Sequence, residues 1–194
     1  MTERIDLEAA GTALLTIVAG VEDTDLDRPT PCFGHTVGEV LQHLVAVTRT
    51  LRDAADKRFG PPTEEKVHAD DDWAAAEDGW RGALEDQVPQ VVQAWREESA
   101  WEGTTRAGGL ELKAQDAGRI ALDELVLHGW DLARATGQEY PSHALDEHIY
   151  AESREFLQAV AEEEIHEPVE VADNASVFDR MVALSGRDPQ WSPN

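Results

Sequence analysis

Cysteine is almost absent from this sequence, and that scarcity limits the metal chemistry the chain can support. Cys32 is the only cysteine among 194 residues. A disulfide within the chain is therefore excluded, and so is a zinc cluster built from several thiolates. Any metal ion here must be held by histidine and carboxylate side chains.

Basic residues are also few. Lysine and arginine number 16 against 40 aspartates and glutamates, which gives a formal net charge of −24 at pH 7. Such a surface repels phosphate backbones and anionic lipid headgroups, so we expect neither a nucleic-acid nor a membrane partner. The acidity indicates a well-solvated surface and is no evidence for a specific metal site.

Long apolar runs are missing as well. No segment approaches the roughly 20 apolar residues that cross a bilayer, and the N-terminus lacks the pattern of a signal peptide. We therefore expect a cytoplasmic protein. The length and a hydrophobic fraction of 41% are enough for a single domain over residues 1–194. The oligomeric state stays open, and a homodimer is compatible with the sequence.

Apolar residues recur at helical spacing along most of the chain. Thr36 and Glu39 form a capping-box pattern at one predicted helix start, Gly137 is a C-cap candidate, and Pro89 predicts a kink or break. Glycines and threonines over 101–113 predict a loop or a short hairpin. The main predicted helices cover residues 5–21, 37–58, 73–99, 114–136 and 145–163, with a short one at 176–184.

This pattern predicts an all-α fold. Long helices that are connected by turns bury their apolar faces most simply against one another. We therefore expect a bundle of four core helices with an extra C-terminal helix and a tail.

Two predicted helices carry residues suited to metal binding. Glu124 and His128 are four positions apart, so both side chains lie on one helix face, one turn apart. His43 lies beside the apolar stripe of an earlier helix. Two histidines and a carboxylate on buried helices match a three-ligand metal site with an open position. The alternatives are a local hydrogen bond between Glu124 and His128, and a histidine whose polar atoms are satisfied within the core.

Three further residues are candidates near such a site. Asp131 lies one turn beyond His128, where it could accept a hydrogen bond from a ligand, contact substrate, act as a base or serve as a structural acid. Cys32 is a reactive thiol or, more simply, a small buried residue. His35 either binds the metal or only flanks the start of the second helix.

Three ordered motifs make the chain resemble a known family. They are PTPCFGHTV at 29–37 followed by LQHL at 41–44, ELVLHGWDLA at 124–133, and LSGRDPQW at 184–191. Together they resemble a DinB-like family common in actinobacteria, which includes the metal-binding N-terminal domain of mycothiol-dependent maleylpyruvate isomerase.

The resemblance implies a DinB-like up-and-down four-helix bundle in which His43, Glu124 and His128 bind a divalent metal ion. It also implies mycothiol as the thiol cofactor. His35 stands where relatives usually carry tryptophan, so the rim of the pocket is expected to differ. The isomerase has a second domain that contributes to its active site. Because 194 residues leave no room for that domain, we do not expect isomerase activity itself.

The favoured hypothesis is a metal-dependent enzyme, a thiol transferase or isomerase-like protein, that acts with a thiol cofactor on a small molecule. Zn²⁺ is the first choice of ion, and Ni²⁺, Fe²⁺ or Co²⁺ also suit two histidines and a glutamate. Asp131 is the predicted catalytic helper. One alternative is a metal-containing protein that binds or senses a small molecule without turnover. Another is a purely structural bundle.

Overall fold

The computed structural model describes residues 4–64, 76–142, 150, 153, 158 and 167–193. Within this part, six α-helices and one antiparallel hairpin have defined bounds. None of the helices within this part is both long enough and apolar enough to cross a membrane. The elements are α1 (Glu8–Ala19), α2 (Val37–Ala55), α3 (Pro61–Glu64), α4 (Trp80–Arg96), β1 (Thr104–Ala107), β2 (Leu110–Lys113), α5 (Ala114–Thr136) and α6 (Val177–Leu184).

Side-chain caps fix where two of these helices begin. The Thr36 hydroxyl oxygen accepts a hydrogen bond from the Glu39 backbone N–H at 3.3 Å, and the Glu39 carboxylate accepts one from the Thr36 N–H at 2.7 Å. This is the predicted capping box, and it satisfies two backbone donors at the start of α2. At α6, the Ser176 hydroxyl oxygen accepts from the Asp179 N–H at 3.0 Å.

The predicted bounds of α5 are confirmed. The helix covers Ala114–Thr136, and Gly137 follows it with a φ of +72°, a left-handed conformation that glycine adopts without a steric penalty. The segment before α5 is the predicted hairpin, since β1 pairs with β2 in antiparallel register, Thr104 opposite Lys113 and Ala107 opposite Leu110.

The expectation for the third long helix was partly wrong. Residues 76–79 are not helical, and α4 begins at Trp80 after Gly79, whose φ is +94°; residues 73–75 lie outside the described residues. Nor does α4 break, because it runs through Pro89 as one helix. Pro89 is exposed, so water can satisfy the carbonyl that loses its partner, while the buried neighbours Val88 and Val91 keep the helix packed.

The predicted helix over 145–163 lies outside the described residues except at three positions. Tyr150, Ser153 and Gln158 are helical, and the first two are buried.

Most of the core residues that the structure describes lie on α1, α2, α4 and α5. α1 and α2 each pack against both α4 and α5. The predominantly helical fold is thus confirmed, while the up-and-down four-helix bundle stays a prediction. The contact between α2 and α5 brings the helix of His43 against the helix of Glu124. The largest fully buried side chains of these helices are Leu14, Ile17, Leu41, Leu44, Leu51, Leu84, Trp95, Leu122, Leu125 and Leu132.

Candidate metal centre

Three side chains from α2 and α5 converge on one point. Nε2 of His43 lies 3.0 Å from Oε2 of Glu124, and Nε2 of His128 lies 3.1 Å from the same oxygen. The two imidazole rings meet edge to face, with their centroids 5.0 Å apart. The structure therefore brings together the three residues that the sequence predicted as ligands.

The packing of α2 and α5 explains this convergence. His43 follows Val40 and Leu41 on α2, both fully buried, so its side chain is held beside the core and is only 8% exposed. Glu124 and His128 lie one turn apart on α5, and their side chains are 22% and 8% exposed. The Glu124 side chain is thus the most accessible of the three.

The donor set fits a divalent metal ion. Around a tetrahedral ion with bonds of about 2.1 Å, ligand atoms lie about 3.4 Å apart. The separations of 3.0 and 3.1 Å are shorter by a few tenths of an ångström, a difference that small side-chain rotations remove. Two imidazoles and one carboxylate are also the protein ligands of catalytic zinc sites, in which the fourth position stays open to water or substrate.

The electrostatic environment shifts the pKa values of the two histidines in opposite directions. Burial lowers the pKa of His43, and the Glu124 charge opposes this only in part. Burial acts in the same direction on His128, but hydrogen bonds with Asp131 and Glu124 outweigh it and raise the pKa of His128 to about 8. For Glu124, the effect of burial is exceeded by the charge that His43 carries when it is protonated at lower pH, and by hydrogen bonds with both histidines, so the pKa of Glu124 is lowered. Near neutral pH, His43 is neutral, Glu124 is ionised, and His128 carries a proton.

Asp131 orients His128 from the side opposite Glu124. Its Oδ2 accepts a hydrogen bond from Nδ1–H of His128 at 2.9 Å, which turns Nε2 towards the cluster. Burial favours the neutral form of Asp131, but the charge of Arg187 and hydrogen bonds with His128 and Arg187 lower its pKa. Asp131 is fully buried and ionised, so both of its oxygens can accept hydrogen bonds from Arg187 and His128.

Arg187 is the functional candidate that the sequence interpretation did not single out. It donates from Nε to Oδ1 of Asp131 at 2.8 Å and from Nη2 to Oδ2 at 2.9 Å, and it is only 6% exposed. Its one signal in the sequence was its place in the LSGRDPQW motif. Arg187 and Asp131 are 56 positions apart in the sequence, so no local pattern predicts the pair.

Cys32 and His35 lie near the cluster in different ways. Sγ of Cys32 is within 4.8 Å of ligand atoms of His128 and Asp131. Burial and the Asp131 charge raise the pKa of this thiol to about 12, so Cys32 matches the expectation of a small buried residue. Cys32, His128 and Asp131 together form a second group of potential metal ligands. This group is a poor cation site because Arg187 already pairs with Asp131. His35 lies at the start of α2, with Nδ1 4.0 Å from the Glu39 carboxylate.

A second buried acid adjoins the cluster. Asp123 is 7% exposed and accepts a hydrogen bond from the Ser153 hydroxyl, while its Oδ2 has no hydrogen-bond partner among the described residues. Burial raises the pKa of Asp123 to about 8. No pattern in the sequence predicts this burial, because Asp123 is there one acidic residue among many on the predicted helices.

Fold and site together define a predominantly helical protein with a candidate three-ligand metal centre between α2 and α5. The model of the mycothiol maleylpyruvate isomerase N-terminal domain family matches residues 7–133, and the chain belongs to that family. The matched segment contains His43, Glu124, His128 and Asp131, whereas Arg187 lies outside it. A search of curated proteins found no match, and a search of solved structures found none either.

Proposed function

We propose that this protein binds one divalent metal ion through Nε2 of His43, the carboxylate of Glu124 and Nε2 of His128. We further propose that it uses the ion to act with a thiol cofactor on a small molecule. The observation that carries the proposal is the convergence of both Nε2 atoms on one carboxylate oxygen, at 3.0 and 3.1 Å. Membership of the family points to mycothiol as the thiol.

A bound Zn²⁺-like ion would ionise a thiol that enters its open coordination position and so supply a nucleophile near neutral pH. The protein's own groups prepare that position. His43 offers a neutral imidazole, and Glu124 offers a negative charge that offsets part of the ion's charge. The surrounding apolar residues of α2 and α5 exclude water from the imidazoles and strengthen the electrostatic interactions there.

Asp131 serves in this proposal to orient His128. Both of its oxygens accept hydrogen bonds from Arg187, and one also accepts from His128. A carboxylate held in this way, with a lowered pKa, is a weak proton acceptor. We therefore assign it a positioning role rather than that of a general base.

The same observation favours a second candidate function, a metal-containing protein that binds a small molecule without turnover. A binding protein needs the ion and a neighbouring pocket but no free base. The two functions share the metal centre and differ in whether the bound thiol reacts.

Metal content tests the proposed centre directly. Protein loaded with Zn²⁺ and then dialysed is expected to hold one ion per chain by elemental analysis. His128→Ala removes a ligand and should lower this content strongly, whereas His35→Ala, a histidine variant beside the site, should keep it. Wild-type protein that stays far below one ion per chain after loading would overturn the proposal.

A thiol-transfer assay then separates the two functions. Metal-loaded wild type and His128→Ala are compared with mycothiol and an electrophilic small molecule. Turnover that depends on His128 supports the enzyme. Equal background rates, together with metal-dependent binding of the thiol, support the binding protein.

A further inference from the structure

The C-terminal tail is attached to α5 by two arginine contacts that run in opposite directions. Arg187 of the tail donates to Asp131 of α5. Arg134 of α5 donates from Nε to the carbonyl oxygen of Trp191 in the tail at 2.9 Å. Asp131 and Arg134 are three positions apart, on one face of α5. The tail therefore contacts the helix that carries Glu124 and His128, close to the metal centre.

Arg187 is itself held in a fixed orientation. It donates from Nη1 to the Ser185 hydroxyl oxygen at 3.1 Å, and that hydroxyl donates to the Val182 carbonyl oxygen at 2.7 Å. Nη1 of the guanidinium is thus bound at the end of α6, while Nε and Nη2, the two donors that form the fork of the guanidinium, bind both oxygens of Asp131. Two parallel N–H···O bonds fix a carboxylate in orientation as well as in position.

We propose that Arg187 is a positioning residue of the metal centre: it fixes Asp131, which in turn holds His128 with Nε2 directed at the ion. The inference rests on the proposed metal centre and extends it to a residue outside the matched family segment. Three successive contacts support the inference. Arg187 binds Asp131 at 2.8 and 2.9 Å, and Asp131 binds His128 at 2.9 Å. His128 in turn lies 3.1 Å from Glu124.

Positioning and simple charge repulsion predict opposite effects of removing Arg187. A cation near the site repels a metal ion, so its loss alone would tighten metal binding. Loss of the fork instead leaves Asp131 free to turn away from His128, which weakens binding. Removal of such partners of metal-ligating histidines typically costs about 10- to 100-fold in metal affinity. The sign of the change therefore decides between the two roles.

The experiment measures Zn²⁺ affinity by chelator competition and records the visible spectrum of the Co²⁺-loaded protein, for wild type and three variants. Arg187→Met should bind Zn²⁺ about 10- to 100-fold more weakly and show an altered Co²⁺ spectrum. Arg187→Lys keeps the charge but lacks the fork, so it should also bind more weakly. Arg134→Met, the matched loss of the other tail contact, should keep wild-type affinity and spectrum even if it melts at a lower temperature.

A double-mutant cycle that combines Asp131→Asn with Arg187→Met tests whether Arg187 acts through Asp131. The double variant Asp131→Asn/Arg187→Met also leaves no unpaired buried charge. If the two residues act in series, the double variant binds Zn²⁺ no more weakly than Asp131→Asn alone. Fully additive losses would overturn the proposed route.

The inference is also overturned if Arg187→Met binds Zn²⁺ as tightly as wild type or more tightly, or if Arg187→Lys matches wild type in both readouts. If Arg187→Met does not fold, as judged by circular dichroism, Arg187→Lys and the double variant decide. A wild-type protein that binds no metal would remove the metal centre together with this inference. Wild-type binding with insensitive Arg187 variants would remove the inference alone.

Discussion

Metal binding by this protein should depend on pH through one histidine. The hydrogen bonds with Asp131 and Glu124 raise the pKa of His128 to about 8, while burial lowers the pKa of His43. An ion that takes Nε2 of His128 must therefore displace one proton from His128 and none from His43 near neutral pH. Apparent affinity should fall about tenfold at pH 7 and about a hundredfold at pH 6, relative to its value well above pH 8.

Zn²⁺ competition titrations at pH 6, 7, 8 and 9 measure this dependence, and titrations in a dilute indicator buffer count the protons released. The apparent Zn²⁺ affinity should rise with pH up to about 8 and then level off. His35→Ala serves as the control and should show the same profile. An affinity that stays constant between pH 6 and pH 8, with no proton released, would refute either the raised pKa of His128 or its role as a ligand, and the metal content of His128→Ala separates the two.

Three further outcomes are expected. Cys32 in the folded protein should react with iodoacetamide at pH 7 at least about a hundredfold more slowly than in urea, because little of a thiol with a pKa of about 12 is ionised. Mass spectrometry measures the rate. The Asp123 carboxyl has a pKa raised from 3.8 to about 8, so the contribution of this group to the free energy of unfolding falls as pH rises between these values. Asp123→Asn, whose amide oxygen can still accept from Ser153, should therefore gain stability relative to wild type from pH 5 to pH 8 in urea unfolding. Thr36→Ala, which removes the cap from the Glu39 N–H, should cost about 1 kcal/mol of unfolding free energy and leave metal affinity unchanged.

Each of these outcomes can fail separately. Alkylation of native Cys32 within minutes would show an ionised or accessible thiol. An Asp123→Asn variant whose stability follows wild type at every pH would mean that the carboxyl titrates normally. A Thr36→Ala variant that loses metal would show that the start of α2 controls the position of His43.

The local features of the fold could be predicted from the sequence because they depend on short-range interactions. The capping box at Thr36, the bounds of α5 and its end at Gly137 each involve groups within one or two turns of one another. The sequence predicted a kink or a break at Pro89, and the break does not occur, for a tertiary reason. The exposed face of α4 tolerates the missing N–H, and the opposite face is packed firmly enough to keep the helix continuous.

The site divides in the same way. The sequence alone determined that Glu124 and His128 share a helix face, since a spacing of four residues fixes this in any α-helix. It made His43 a candidate, and the ordered motifs gave the family. Only the tertiary structure decided that α2 packs against α5 closely enough to bring both Nε2 atoms to one carboxylate oxygen. Only the tertiary structure, too, placed Arg187 on Asp131, because a pairing across 56 residues depends on how the tail packs against α5, and no local pattern in the sequence encodes that contact.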